Sequence, residues 1–382
     1  MDYGTRILHN GRDIDPYTGA SSVPIYNAST FAQKDPDHFG EYEYSRGSNP
    51  TRDALEHTIA ELEGGVRGFA FSSGMAAISS VFLLFGPGDH IVVSADVYGG
   101  TYRILTTILK QWGLKSSFID TTDISAAAAA VTPETKAVFI ETPSNPVLKI
   151  TDIRAIAEMA RQRGLLSIID NTFMTPYLQR PLDLGMDITI HSATKFLGGH
   201  SDLIAGVVAV KDEALAQRLK RIQNSFGAIL GPFDAWLLLR GIKTLAARVE
   251  AEQKTAGDIA RWLLDQPDVS RVYYPGLPDH PGRDIHFRQA SGGGAVLSFD
   301  LGDGEKARAF LKHLELSLFA VSLGGVESII SYPAVMSHAS MPREERLARG
   351  ITDGLLRLSA GLESAEDIKK DIRRALDLAG NL

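Results

Sequence analysis

Six short apolar runs, spaced by stretches long enough for helices, set the tightest limit on how this chain can fold. They are GFAFSS, HIVVSAD, KAVFIET, LLSIID, MDITIHSA and AGVVAV, all lying between Gly68 and Val210. Unbroken apolar runs of this length suit strands buried on both faces. Between two of them, residues 152–163 carry Ile153, Ile156, Ala157 and Ala160 at helical spacing. Strand, helix and strand in series predict an α/β domain over residues 49–245, with a mostly parallel sheet covered by helices. Ligands of such sheets sit beyond the carboxyl ends of the strands. The polar residues of this chain collect there.

The flanks read differently. Tyr3 to Asn49 is rich in Gly, Pro, Ser and Asn and shows little helical periodicity, yet it keeps Tyr17, Tyr26, Phe31, Phe39, Tyr42 and Tyr44. Disordered tails are poor in aromatics, so residues 1–48 are expected to wrap around something as an arm. A long helical stretch around Gly241 to Gln253 marks a domain joint. Beyond it RVYYPG, GAVLSFDL, SIISYPA and GLLRLSA predict strands of a smaller α+β domain over residues 246–382. SAAAAAV near Ser125 is expected to form a surface helix.

Composition removes several functions. The net charge is −7 with both signs interspersed, which argues against a nucleic-acid partner, since that needs a cationic face. With no cysteine, disulfides, thiolate nucleophiles and cysteine-bound zinc are excluded. The 10 histidines show no HExxH or comparable spacing, so no metal site is expected. MDYGTRILHN lacks the apolar core of a secretory signal, and no apolar run reaches membrane-spanning length. A cytoplasmic metabolic enzyme without a membrane partner is the expectation.

Chemistry concentrates at five places. Lys195, in His191-Ser192-Ala193-Thr194-Lys195, stands just past a strand. The Ser192 and Thr194 hydroxyls suit phosphate oxygens, and a desolvated lysine suits covalent attachment to an aldehyde. An ordinary surface loop is the equal alternative for the motif alone. Asp170 ends LLSIID and is followed by Asn171 and Thr172. A half-buried carboxylate there needs a cation, and a protonated pyridine nitrogen is one; Asp170 alone favours a helix cap, but ahead of the lysine of SATK it does not. Ser72-Ser73-Gly74-Met75 opens a helix whose N–H groups favour an anion, though such turns also use Ser and Gly for geometry alone. Tyr98, beside Gly99 and Gly100, can lie flat on an aromatic ring or simply pack, and Arg103 would share that rim. Arg357, inside GLLRLSAGLE, needs an anion: a ligand carboxylate, or an internal partner such as Glu327.

Taken in order, EYEYSRGSNPTR, FAFSSGMAAIS, DVYGGTYR, ETPSNP, DNTF, HSATKFLGGH, VSLGGVESI and GLLRLSAGLE span nearly the whole chain. With these eight segments the sequence resembles the Cys/Met-metabolism enzymes that use pyridoxal 5'-phosphate (PLP), and among them the bacterial cystathionine β-lyases. The resemblance implies the PLP-dependent transferase fold type I. It makes Lys195 the lysine that carries the cofactor and shuttles protons, and Asp170 the partner of the ring nitrogen, with Thr172 beside it. Gly74, Met75, Ser192 and Thr194 would hold the phosphate, Tyr98 would stack on the ring, and Asn145 would bond its 3-oxygen. Ser322 would orient the lysine region. Arg357, with Asn145 and Arg103, would take the substrate, a small sulfur amino acid. Tyr44 and Arg46 match a phosphate-binding pair lent to a neighbouring subunit, within a homotetramer built as a dimer of dimers.

Two departures bear on the reaction. Methionine γ-lyases carry cysteine where this chain has Gly100. Many γ-synthases and γ-lyases carry glutamate where it has Val321. The first argues against a methionine γ-lyase, and the second tilts the expectation toward α,β-elimination of cystathionine to homocysteine, pyruvate and ammonia. The alternatives are γ-elimination or γ-replacement on the same scaffold, a methionine γ-lyase, and, more remotely, a non-catalytic protein of this fold.

Overall fold

The computed structural model describes residues 2–9, 14, 15, 17–339 and 341–380. Residues 1, 10–13 and 16 of the expected arm, and 340 and 381–382 of the expected carboxyl-terminal domain, lie outside that description.

Seven strands form the larger sheet: β1 (Arg67–Phe71), β2 (His90–Ser94), β3 (Lys115–Ile119), β4 (Thr135–Glu141), β5 (Leu166–Asp170), β6 (Ile188–Ser192) and β7 (Gly206–Val210). Their order is β1-β7-β6-β5-β4-β2-β3. Pairs among β2 to β6 are parallel, whereas β7 runs antiparallel to both neighbours. The carboxyl ends of β1, β2, β4, β5 and β6 therefore share one edge, and β7 begins there. All six apolar runs became strands. The seventh strand, KSSFI, escaped notice because it is a half-exposed edge carrying Lys115, Ser116 and Ser117.

Strand alternation divides the core in two. Val138, Ile140 and Ile169 face one side with Ile153 and Ile156, while Phe139, Ile168 and Ile190 face the other with Ile78 and Leu219. Each such buried side chain contributes roughly 1.5–3 kcal/mol. Local sequence sets where the covering helices begin. Asn49 accepts hydrogen bonds from the N–H groups of Thr51 and Arg52 to cap helix Pro50–Glu63, and Gly64 ends it in the left-handed region. Ser73 caps Gly74–Phe82, and Asp152 caps Ile153–Gln162. The alanine run forms helix Ile124–Ala129.

Helix Leu245–Leu264 leads into the smaller sheet of β8 (Arg271–Tyr273), β9 (Val296–Asp300), β10 (Leu318–Phe319), β11 (Ile329–Ser331) and β12 (Leu355–Ser359), ordered β10-β11-β12-β9-β8. Phe299, Leu358, Phe310 and Ile372 make its core against helices Gly304–Lys312 and Ala365–Ala379. No helix among the described residues is long and apolar enough to cross a membrane.

Candidate active site

Two carboxylates close neighbouring strands. Glu141 ends β4, Asp170 ends β5, and the two are register partners. Both are buried. Asp170 Oδ1 accepts hydrogen bonds from the Thr172 N–H at 3.0 Å and the Thr172 hydroxyl at 2.5 Å. The Thr172 oxygen also accepts from the Ser192 N–H at 2.9 Å, which ties the end of β5 to the end of β6. Burial raises the pKa of both carboxyls, and at Glu141 the proximity of Asp170 adds to it. The two Thr172 bonds counter the rise at Asp170. Asp170 thus makes local turn bonds of the capping kind and still sits at the strand ends.

Lys195 follows β6. Its ammonium donates to the Ser322 hydroxyl at 2.7 Å. Arg357, in the middle of β12, donates from Nη2 to the Ser322 carbonyl at 2.7 Å and from Nη1 to Asn145 Oδ1 at 2.9 Å. Lys195, Ser322, Arg357 and Asn145 thus form a continuous hydrogen-bonded chain. Ser322 holds φ at 97°, a left-handed conformation that costs a non-glycine residue of order 1–3 kcal/mol. Burial pushes the Lys195 amine down to about 8, and the nearby Arg357 charge pushes the same way. Burial also lowers Arg357, to about 10, against the pull of Glu141. The expected internal partner Glu327 is exposed and does not pair with Arg357, whose Nε has no partner.

The strand-to-helix turn after β1 comes up against this group. A Cβ at Gly74 would stand 2.9 Å from the Ser192 side chain, so only glycine lets the helix start approach so closely. The N–H groups of Gly74 and Met75 are among the first of that helix, which its own ladder leaves unpaired. The Thr194 hydroxyl is committed to the Ala205 backbone, at 3.2 Å to the carbonyl and 3.0 Å from the N–H. Tyr98 precedes helix Gly99–Thr106, donates its N–H to Glu141 Oε2 at 2.8 Å and is 43% exposed. A Cβ at Gly100 would meet that ring at 2.5 Å and Met75 Sδ at 2.6 Å. Cysteine at this position would displace both.

Three expected residues stand apart. Arg46 stacks over Tyr44 at 5.7 Å and donates to the Asn224 carbonyl at 2.6 Å. Buried Arg52 donates to the Ser45 carbonyl at 2.7 Å, and Lys220 to that of Gly47 at 2.5 Å, so this segment is pinned against its own chain. None of these contacts involves the Lys195 group. Arg103 is exposed on helix Gly99–Thr106. Glu141 was missed by sequence reasoning, although KAVFIET closes on a carboxylate just as LLSIID does.

The residues present fit a flat phosphorylated aldehyde with a basic ring nitrogen. They offer a desolvated amine, a buried carboxylate at the strand ends, an open helix start beside Ser192 and an exposed aromatic face. Comparisons with known proteins agree. The model of the family described as Cys/Met metabolism PLP-dependent enzyme matches residues 4–377. The cystathionine beta-lyase MetC of Bacillus subtilis (strain 168) is 57% identical over 372 residues, covering 97% of this chain and 95% of that protein. The cystathionine gamma-lyase of the same strain is 52% identical over 377 residues, 99% and 100% of the two chains. The crystal structure of cystathionine gamma-lyase from Lactobacillus plantarum complexed with L-serine covers all of both chains at 50% identity, with a TM-score of 0.97.

Proposed function

The chain belongs to the Cys/Met-metabolism PLP-dependent enzymes, and from that membership we propose that it splits cystathionine-like thioether amino acids by elimination. Its fold is type I, and its cofactor is PLP. When bound, that cofactor supplies an electron-poor ring that spreads negative charge from the substrate α-carbon. The protein supplies the rest. Lys195 holds the cofactor and then moves the α-proton as general base. Asp170, steadied by Thr172, keeps a negative charge at the ring nitrogen. Gly74, Met75 and Ser192 hold the phosphate, joined by Thr194 once its hydroxyl turns from the Ala205 carbonyl; Tyr98 faces the ring and Asn145 takes the 3-oxygen. Arg357 grips the substrate carboxylate, with Arg103 at the rim, and Ser322 orients Lys195.

The observation that carries this reading is the buried Arg357. It has two neutral acceptors and an unpartnered Nε, and it is linked through Ser322 to an amine whose proton is weakly held. A buried cation whose hydrogen bonds among the described residues all go to neutral oxygens, with Glu141 near but not bonded to it, has room for a carboxylate from a ligand.

The full-length likeness to a cystathionine gamma-lyase structure favours γ-elimination, which yields cysteine, 2-oxobutyrate and ammonia. A second reading, β-elimination, is supported by the 57% identity to a cystathionine beta-lyase and by Val321, an exposed apolar residue directly before Ser322. The oxo acid released from cystathionine separates them. 2-Oxobutyrate as the dominant product supports the first reading, pyruvate the second, and neither acid overturns both.

The same reading makes the protein a cytoplasmic homotetramer whose arms lend Tyr44 and Arg46 to neighbouring sites. Support comes from the arm segment itself, pinned by Arg52 and Lys220 with Tyr44 exposed. Refolding Lys195→Ala with Arg46→Ala chains then restores about a quarter of wild-type activity, because random two-fold pairing makes hybrids with one native site. No recovery means that Arg46 does not act across an interface.

A further inference from the structure

Glu141 has two unusual properties. It is buried at the end of β4, and it faces like charge: Asp170 from β5 and Asp96 from the turn after β2. Arg357 from β12 is the cation that offsets them. Of the groups around it, Lys149 is spent on Asp96 at 2.8 Å and Asp120 at 3.4 Å, and Lys195 on Ser322. A carboxylate placed there for structure alone would be a poor choice, since an apolar residue would extend the strand at lower cost. Among the described residues its carboxyl accepts one hydrogen bond, from the Tyr98 N–H.

That bond sits where Tyr98 is otherwise loosely set. Tyr98 has φ −47° and ψ 134°, just outside helix Gly99–Thr106, and no side chain caps that helix. Its ring folds back over the helix start, close to Gly100 and Met75, so the ring plane follows the backbone orientation at residue 98. On the other side a Cβ at Gly99 would stand 2.2 Å from the Ser337 carbonyl, so the turn is wedged between Glu141 and the loop after β11. Glu141 is the large-sheet side of that wedge.

We propose that Glu141 is a positioning residue, whose carboxyl oxygen fixes the Tyr98 backbone and so aligns the Tyr98 ring with the cofactor. It does this as a hydrogen-bond acceptor and not as a charge. The proposal rests on the functional reading above only in taking Tyr98 to face the cofactor. Burial beside Asp170 favours the protonated acid, which leaves Asp170 as the negative charge at the ring-nitrogen end.

The test compares Glu141→Leu with Glu141→Gln in the holoenzyme, reading visible circular dichroism of the bound cofactor, its dissociation constant, and kcat and KM against pH. Glu141→Leu is expected to keep bound cofactor, lose most of its dichroic signal and drop kcat roughly tenfold to a hundredfold, the usual effect of an ångström-scale misplacement. Glu141→Gln keeps an acceptor and no charge. It should recover the dichroism and most of that loss, with the pH profile of the wild type. If Glu141→Leu does not fold, Glu141→Asp, which draws the oxygen back by one methylene, carries the same expectation. A glutamine variant as damaged as the leucine one, or with a shifted acid limb, overturns the proposal in favour of a charge role. Unaltered dichroism in both variants overturns it outright, while the functional reading survives. A wild-type chain that takes up no cofactor sinks both.

Discussion

Lys195→Ala lowers turnover of cystathionine by at least about 10³-fold, because the general base and the point of covalent attachment are lost together. The variant is also expected to lose the visible absorbance of bound cofactor after dialysis, which separates attachment from chemistry. A variant that still eliminates at wild-type rate refutes the assignment. The amine's low pKa makes a second measurement possible. Only the unprotonated amine attacks an aldehyde, so cofactor capture by the unloaded protein should accelerate as pH rises toward about 8 and level off above it. A surface lysine, near 10.4, would keep accelerating beyond that point. For stability, the unfolded chain binds the proton up to about 10.4 while the folded chain has released it above about 8. The unloaded protein therefore gains stability as pH rises through that window, and Lys195→Ala removes that part of the slope.

Arg357→Leu is the second large effect. It removes the planar cation proposed for the substrate carboxylate and leaves Asn145 Oδ1 and the Ser322 carbonyl short of a donor. Charge-assisted bonds to a buried anion contribute about 1.5–3 kcal/mol each, so kcat/KM should fall by about 10²–10⁴. Most of the fall should appear in KM if the arginine binds carboxylate equally in the ground and transition states. A substrate analogue lacking the α-carboxylate provides the control. Wild type and Arg357→Leu should handle it alike, since the interaction is then absent from both. An analogue that still separates the two would show that the arginine acts through Ser322 and Lys195.

Much of this was legible because buried parallel strands leave a strong signature. Continuous apolar runs located six of seven large-sheet strands, and polar residues closing those runs located Asp170 and Lys195. KSSFI carries no such signature, because an edge strand need not be apolar on both faces. The approach of Ser322 to Lys195 could not be read from residue types or spacing. The two are 127 positions apart, and the serine's left-handed backbone leaves no mark in its identity. Arg357 was recognised as a buried cation, but its partners are neutral oxygens from Asn145 and Ser322 and not Glu327. Glu141 went unnoticed because a glutamate at the end of a strand is ordinarily exposed. Its burial became evident only once β4 and β5 were paired in register.

The hydrogen-bonded chain through Lys195, Ser322, Arg357 and Asn145 starts in one half of the molecule, crosses to the other and returns. Its first and last members come from the segments around the larger sheet, its middle two from the smaller. A chimera spliced within helix Leu245–Leu264 would therefore inherit the ends of the relay from one parent and its centre from the other. For such hybrids, the fit across this seam sets how much catalysis survives, even where each parental half keeps its own core intact.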